Sequence, residues 1–383
     1  MSKNQNFDVV LETRDLSRML GLAGSIVEKR NVLPILSHIK LEADGNKLLL
    51  TATDMDLAVQ LEIGAEVKHK GVITVHSETF SNIIRKVADK TLEMEFIDAT
   101  SQLAIHAKTY EVELSTLPAH DFPTMDNFTA KMEFNVPAST LVTLLEMTKF
   151  AISTEETRYN LNGVYLHSVL VDGKHILAAA ATDGHRLAAF KSNIALGSDF
   201  GIILPRKTVN ELYKILKDSN LSEQAVTVSV GHNRVRFVCA GMTIISKLID
   251  GTFPDYQVFI PASNENKLSI PATLLKEVVD RVAAVTAEKF PAIKVTVMED
   301  QLELYAHGEA KGLANEILPI NGKDLKYTGN QVTIGLNPRY VLDVLSALGN
   351  DEIVMMLADG FAPALIKSES RPEGDFVVMP VKV

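Results

Sequence analysis

The stretch Leu48-Leu49-Leu50-Thr51-Ala52-Thr53-Asp54 returns as Ala178-Ala179-Ala180-Ala181-Thr182-Asp183, an apolar run closed by the same Thr-Asp pair with Asp183 lying 129 residues beyond Asp54. Phe122-Pro123 likewise reappears as Phe253-Pro254, 131 residues on. A fainter third copy is visible too: Pro34 to Leu41, Asn160 to Leu166 and Phe290 to Val297 each lead from a polar or Pro-containing segment into an alternating strand. A step of about 128 residues accounts for the whole chain as three copies. The expected domains are therefore 1–127, 128–254 and 255–383.

Helices keep the same beat. Apolar residues at i, i+3, i+4 and i+7 make one buried helical face. Leu16/Met19/Leu20/Ala23, Phe80/Ile83/Ile84/Val87, Val209/Leu212/Tyr213/Leu216, Leu275/Val278/Val279/Val282 and Val341/Val344/Leu345/Leu348 fit, and Leu141/Leu144/Leu145 gives a shorter sixth. This predicts two helices per repeat, within 12–30, 77–90, 137–152, 205–217, 271–286 and 338–348. Four are preceded by an apolar or Asn residue and then a proline (Pro137, Pro205, Pro271, Pro338), a residue suited to the first helical turn. Between the helices run alternating segments such as Val226 to Val230, Val235 to Cys239 and Thr243 to Ile249, separated by short Asp, Asn or Gly turns. Runs of strands between single helices predict an α+β fold with antiparallel sheets.

With 46% apolar and 22% charged residues the chain reads as globular, with several cores. Its longest apolar runs, Ile176 to Ala181 and Ile353 to Ala358, fall far short of the ~20 residues of a membrane span. No apolar stretch follows the N-terminal methionine to mark secretion, so the cytoplasm is the expected location. The single cysteine, Cys239, excludes disulfides within the chain and multi-cysteine metal sites, and its flank of Phe237, Val238 and Ala240 predicts a buried thiol.

A net charge of −10 ordinarily argues against nucleic acid as a partner. The charge is segregated, however: the six helical stretches together carry +5 and the remainder −15. An acidic exterior around a weakly positive helical surface is a pattern that admits a polyanion at the helices.

Longer stretches are similar, in order and along the whole chain, to those of the bacterial sliding clamps, the β subunits of DNA polymerase III. They are Leu33 to Leu36, Thr53-Asp54, Leu114 to Ala119, Ala181 to Ala188, Pro205-Arg206-Lys207, Ser246-Lys247-Leu248, Phe253 to Tyr256 and Val377 to Pro380. The resemblance implies a head-to-tail homodimeric ring with sheets outside and helices lining a hole for duplex DNA. It also implies a clamp that holds the replicative polymerase and other replication or repair proteins, opened by an ATP-driven clamp loader. No cofactor or metal is implied. Packing arithmetic agrees with a dimer: helices about 10 Å apart leave a hole of about 9 Å when six stand in a circle and about 28 Å when twelve do, and a duplex needs roughly 20 Å.

Residue by residue, Arg30, Arg206 and Lys207 match basic positions that the family uses against DNA. Arg14, Arg85 and Lys214 join them from the helix stripes. Glu155 departs from the family, where a neutral polar residue near DNA is usual. By the same resemblance Leu161, Thr182, His185, Arg186, Leu187, Pro254, Tyr340, Met379 and Pro380 form an apolar groove for partner peptides. Val258 and Phe361 stand there in place of more polar or smaller residues. Val112 and Leu114 would meet Ala284 and Val285 of the other copy at the ring joint, the alternation of Val112-Glu113-Leu114 being that of an edge strand.

Two other readings compete. Asp183 and His185 could form a hydrolytic pair, but no G-x-S-x-G, phosphate loop or H-E-x-x-H accompanies them. The first repeat keeps Asp54 yet has Met55-Asp56-Leu57 where the second has Gly184-His185-Arg186, so Asp183 is expected to be a turn residue and no residue is assigned as catalytic. The other reading is a monomeric adaptor, which would be indifferent to DNA ends.

Overall fold

Each repeat turns from strand to helix at the same kind of corner. The first helical N–H has no partner inside its own helix. Here it donates sideways, to the carbonyl of the residue just before a neighbouring strand: Thr13 to Lys90 (2.9 Å), Ala138 to Gln224 (2.9 Å), Arg206 to Asn162 (3.0 Å) and Ala272 to Asp351 (2.9 Å). The computed structural model in which these corners are seen describes residues 7–28, 32–125, 128–217, 221, 223–309, 311–320 and 322–383.

The corner also corrects the expected place of the prolines. Pro338 opens its helix, but Pro137, Pro205 and Pro271 stand one residue earlier, still in strand register opposite Ala225, Gly163 and Glu352. A strand end tolerates the missing N–H, and the residue after each proline keeps the N–H that the corner needs.

Among the described residues the helices are α1 (Thr13–Ala23), α2 (Ser77–Ile84), α3 (Ala138–Thr148), α4 (Arg206–Lys217), α5 (Ala272–Ala283) and α6 (Pro338–Leu348), two per repeat as expected. Their stripes are buried: Leu16 and Leu20 in α1, Phe80 and Ile84 in α2, Leu275, Val278, Val279 and Val282 in α5, Val341, Val344, Leu345 and Leu348 in α6. Four stop short of the stretches expected for them, α5 at Ala283 rather than at 286. α1 stops at Ala23, where Gly24 N–H still reaches the Leu20 carbonyl, while fully buried Ile26 continues the period from within a turn. α2 tightens into bonds from Lys86 to Ile83 and Val87 to Ile84, the i to i+3 pattern of a fraying last turn. α3 gives way to the 3-10 turn Lys149–Ala151.

The described residues fall into two compact bodies, 7–139 with 210–248 and 140–209 with 249–383, so the second repeat is shared between them. The first body holds a thirteen-stranded sheet. It runs from Met132–Pro137 through Ala225–Val230, Arg234–Cys239 and Met242–Lys247 to Leu57–Gly64, Lys47–Thr53, His38–Asp44, Gly71–His76, Tyr110–Leu117, Gln102–Ala107, Thr91–Ile97, Asp8–Glu12 and Glu66–His69. The second holds a nine-stranded sheet, from Gly201–Pro205 through Gly163–Val171, Lys174–Thr182 and Arg186–Leu196 to Gly374–Val378, Ala364–Ser368, Glu352–Leu357, Asn266–Pro271 and Lys326–Thr328. It also holds a four-stranded sheet ordered Gly312–Pro319, Gln301–Gly308, Ile293–Val297, Val332–Leu336. Adjacent strands run antiparallel, including Leu57–Gly64 with Met242–Lys247 and Arg186–Leu196 with Gly374–Val378, the two places where one repeat's sheet continues into the next. Cys239 is buried, as its flank implied.

Candidate functional site

The Thr-Asp pair that marks the repeat builds one turn twice. Thr182 Oγ1 donates to the Arg186 carbonyl (2.7 Å) and accepts from Gly184 N–H (3.1 Å), while Asp183 Oδ1 accepts from the N–H groups of His185 (2.9 Å) and Arg186 (3.0 Å). In the first repeat Thr53 Oγ1 donates to Leu57 O (3.0 Å) and accepts from Met55 N–H (3.0 Å), and Asp54 Oδ1 accepts from Asp56 (2.9 Å) and Leu57 (2.7 Å). The third turn residue has positive φ in both, 87° at Gly184 and 76° at Met55, so glycine is the relaxed choice and Met55 the strained one. Asp183 spends its carboxylate on backbone N–H groups and on Arg186 Nε (2.9 Å), which leaves it no proton-shuttling role toward His185. The hydrolytic pair is thereby set aside on geometry.

The same turn raises a platform in the second body. His185 is exposed and stacks on Tyr340 of α6, with ring centroids 6.3 Å apart and planes 12° apart. Arg186 lies beneath, its guanidinium 4.6 Å from the Tyr340 centroid and 5.7 Å from that of Phe150, and it bridges Asp183 and Asp343. Burial first and Asp183 second push the Tyr340 hydroxyl above its ordinary range, so it stays a neutral donor. Met379 N–H donates to the His185 carbonyl (2.9 Å), which places Met379 and the adjoining Pro380, both half-buried, beside the turn.

Leu161 and Leu187 lie below in an apolar cluster with Ile203, Phe253, Tyr256, Leu365 and Val377. Exposed Pro254 follows Phe253 at its rim, with Val258 71% exposed on the next turn. Phe361, 92% exposed, lies in the loop before Ala364–Ser368. The nine groove candidates thus share one body, seven of them tied to the platform or its floor by named contacts. Leu161 and Leu187 are floor rather than surface.

The sequence missed Phe150 and Asp343, which hold Arg186, and it missed His167. The one available signal was that Asp343 stands at i+3 from Tyr340, on the same helical face. His167 is buried under the cluster; its Nδ1 lies 3.1 Å from the Tyr165 carbonyl and its Nε2 2.9 Å from the Tyr256 hydroxyl. This makes Nδ1–H the donor and Nε2 the acceptor. Burial lowers the His167 pKa to about 4.

The basic candidates lie on helices. Arg14 on α1 and Lys214 on α4 are exposed, Arg206 opens α4 exposed with Lys207 half-buried behind it, and Arg85 caps α2. Arg30 lies outside the described residues. Glu155 pairs with Arg158 (3.2 Å), which also reaches the Asp183 carbonyl. Among the described residues no cluster of three or more His, Cys, Asp or Glu could hold a metal ion, and no helix is long and apolar enough to cross a membrane.

In three consecutive stretches the sequence matches the DNA polymerase III beta subunit: its N-terminal domain at 7–126, its central domain at 135–255 and its C-terminal domain at 257–382. The chain belongs to that family. It is similar to the beta sliding clamps of Rickettsia bellii (40% identical, over 98% of this chain and 99% of the relative) and Escherichia coli K12 (33%, over 92% and 94%). Among solved structures it resembles a sliding clamp from Bartonella birtlesii bound to griselimycin, with TM-score 0.92, 36% identity and coverage of 99% of this chain and 100% of that one. A Caulobacter crescentus beta sliding clamp also superposes with TM-score 0.92, at 35% identity and 100% coverage of both chains.

The fold is accordingly that of three clamp domains, and the function that of a DNA sliding clamp, a subunit of DNA polymerase III that carries out no reaction. For this clamp, His167 sets a pH dependence. The native state binds fewer protons than the unfolded chain between pH about 4 and 6.5, so stability is held at neutral pH and lost as pH falls through that window. Denaturant unfolding at pH 5 should show about 2 kcal/mol less stability than at pH 7 from this residue. His167→Gln, which keeps an acceptor for Tyr256, should flatten that part of the slope; an unchanged slope would assign the effect elsewhere.

Proposed function

We propose that two copies of this clamp close head to tail around duplex DNA in the cytoplasm, each contributing the three domains 1–127, 128–254 and 255–383. The observation that carries this is a count of strand edges. In the first two repeats the strand that follows the Thr-Asp turn (Leu57–Gly64, Arg186–Leu196) pairs with the last strand of the next repeat (Met242–Lys247, Gly374–Val378). In the third repeat the corresponding strand, Gly312–Pro319, ends its sheet, with Leu313 and Ile317 exposed. In the first repeat the corresponding last strand, Tyr110–Leu117, meets Gly71–His76 only at Thr116 and Leu117, and residues 110–115 have one ladder, to Gln102–Ala107. Among the described residues one edge of each type is open, which is what a head-to-tail joint consumes, and leaving both bare invites unspecific pairing.

The four residues that the resemblance assigns to the joint fit these edges. Val112 and Leu114 alternate half-buried along Tyr110–Leu117. Ala284 and Val285 follow α5, and the Val285 carbonyl abuts Gly308 so closely that a Cβ there would lie 2.0 Å away, which fixes glycine at the turn leading into Gly312–Pro319. Arg14, Arg30, Arg85, Arg206, Lys207 and Lys214 would face the phosphates. A few such contacts carry no sequence information and weaken with salt, so they permit sliding, and enclosure supplies retention.

The platform of His185, Arg186 and Tyr340 over Leu161 and Leu187, with Thr182, Pro254, Met379 and Pro380, takes short apolar peptide segments of the polymerase, the clamp loader and other clamp-binding proteins. The test is retention on DNA. Loaded onto nicked circles the clamp should stay bound through high salt and leave within minutes once the circle is cut. Equal loss from circular and linear DNA would favour an adhesive protein over a ring.

A further inference from the structure

The strand pairing that supports the groove has a counterpart in the first body, with a cavity beside it. Where Leu57–Gly64 meets Met242–Lys247, a cavity of about 240 Å³ is lined by Lys40, Thr51, Gln60, Met125, Arg236 and Ile245 among others, room for about eight waters or one to two side chains. The ladders give the correspondence. Ile245 pairs with Ala58 as Val377 pairs with Leu187, and Lys247 N–H donates to Asp56 O (2.8 Å) as Met379 N–H does to His185 O.

The framework is shared and the lining differs. Lys40 opposite Thr51 stands where Tyr165 faces Ala180, Gln60 where Ala189 lies, and Arg236 opposite Ile245 where Leu365 borders Val377. Four positions that are apolar or aromatic in the groove are polar here, two of them cationic, and among the described residues no acidic one lines the cavity. Nε of Arg236 and Oγ1 of Thr51 are buried with no hydrogen-bond partner among the described residues. Phe128 covers the Arg236 guanidinium at 5.2 Å, and Lys40 Nζ lies 3.6 Å from Glu42. Buried donors of this kind are rare unless something meets them, and a guanidinium meets carboxylates best. Met125 and Ile245, both under 10% exposed, supply an apolar wall beside it.

We propose that this cavity is a second docking site of the clamp, taking a peptide segment in which a carboxylate side chain adjoins an apolar one. The analogy with the groove rests on the peptide reading above; the chemistry of the cavity does not. The apolar wall of Met125 and Ile245 beside the cations favours a peptide, which can supply an apolar side chain next to its carboxylate, over nucleic acid.

The test uses the intact protein with 13C-methyl methionine and isoleucine, titrated with acetyl-Leu-Asp-Leu-amide. The Met125 and Ile245 signals should shift saturably. Arg236→Gln, or the peptide with Asn in place of Asp, should weaken binding at least tenfold, and Thr51→Val severalfold, while His185→Ala leaves it unchanged. Should Arg236→Gln misfold, Arg236→Lys and the Asn peptide carry the same comparison. Shifts confined to Met379, equal affinity for the Asp and Asn peptides, or displacement of the peptide by inorganic phosphate or oligo-dT at comparable concentration would each overturn the proposal. Because Met379 reports the groove separately, failure there and failure here are told apart.

Discussion

Leu114→Asp should convert the clamp from dimer to monomer at concentrations where the parent chain sediments as a dimer. Leu114 lies on the stretch of Tyr110–Leu117 that has a ladder on one side only, half-buried already within its own chain. A carboxylate placed in a joint there must be desolvated without a partner, which costs about 3 kcal/mol per joint, a weakening of roughly a hundredfold. A head-to-tail ring has two such joints and the substitution alters both. Residence on circular DNA should collapse to that on linear DNA while the thermal unfolding of the monomer moves little, because the side chain is partly solvent-facing before assembly. Sedimentation and circle retention read the two effects independently; a variant that remains dimeric at nanomolar concentration would move the joint elsewhere.

His185→Ala and Arg186→Ala should separate recognition from architecture at the groove. His185 is exposed and touches its surroundings chiefly through the stack on Tyr340, so its loss should leave folding intact and weaken a clamp-binding peptide about tenfold or more, as an aromatic anchor does. Arg186 lies between Tyr340 and Phe150 and bridges Asp183 to Asp343, with its side chain 11% exposed. Removing it leaves two carboxylates facing each other and frees the aromatic ring, so Arg186→Ala should lower both peptide affinity and melting temperature. Fluorescence anisotropy with a labelled peptide, beside calorimetry, distinguishes the two. Equal destabilisation by both variants would make His185 a packing residue.

The repeat, the helices and the turn role of Asp183 were legible because they are local: the Thr-Asp pair, the i, i+3, i+4 stripes and the missing nucleophile motifs lie on the page of the sequence itself. Helix ends were less so, since Ile26 keeps the apolar period after α1 has ended; the period reports burial, and a turn residue can be as buried as a helical one. Three of the four prolines were misplaced by one position because the corner bond, made to a strand remote in sequence, decides where the helix begins. The floor and rim of the groove came from resemblance alone. Asp343 and Phe150 could not be read as supports of Arg186, 157 and 36 positions away, because no local pattern encodes contacts so remote in sequence, and the bridge to Asp343 exists only where two repeats meet. The cavity around Arg236 was invisible for the same reason: a lone arginine in an alternating strand reads as a solvated side chain.

Tyr110–Leu117 carries Glu111 and Glu113, both exposed, along the half of the strand whose outer flank is bare. Two such flanks brought together would set four carboxylates against one another, whereas the exposed side chains of Gly312–Pro319, among them Leu313, Asn315 and Ile317, are uncharged and its Glu316 is paired with Arg281. In a ring joined through these two edges, a newly made subunit would meet like with repulsion and unlike with tolerance. That bias would steer assembly away from symmetric, dead-end pairs before any ring has formed.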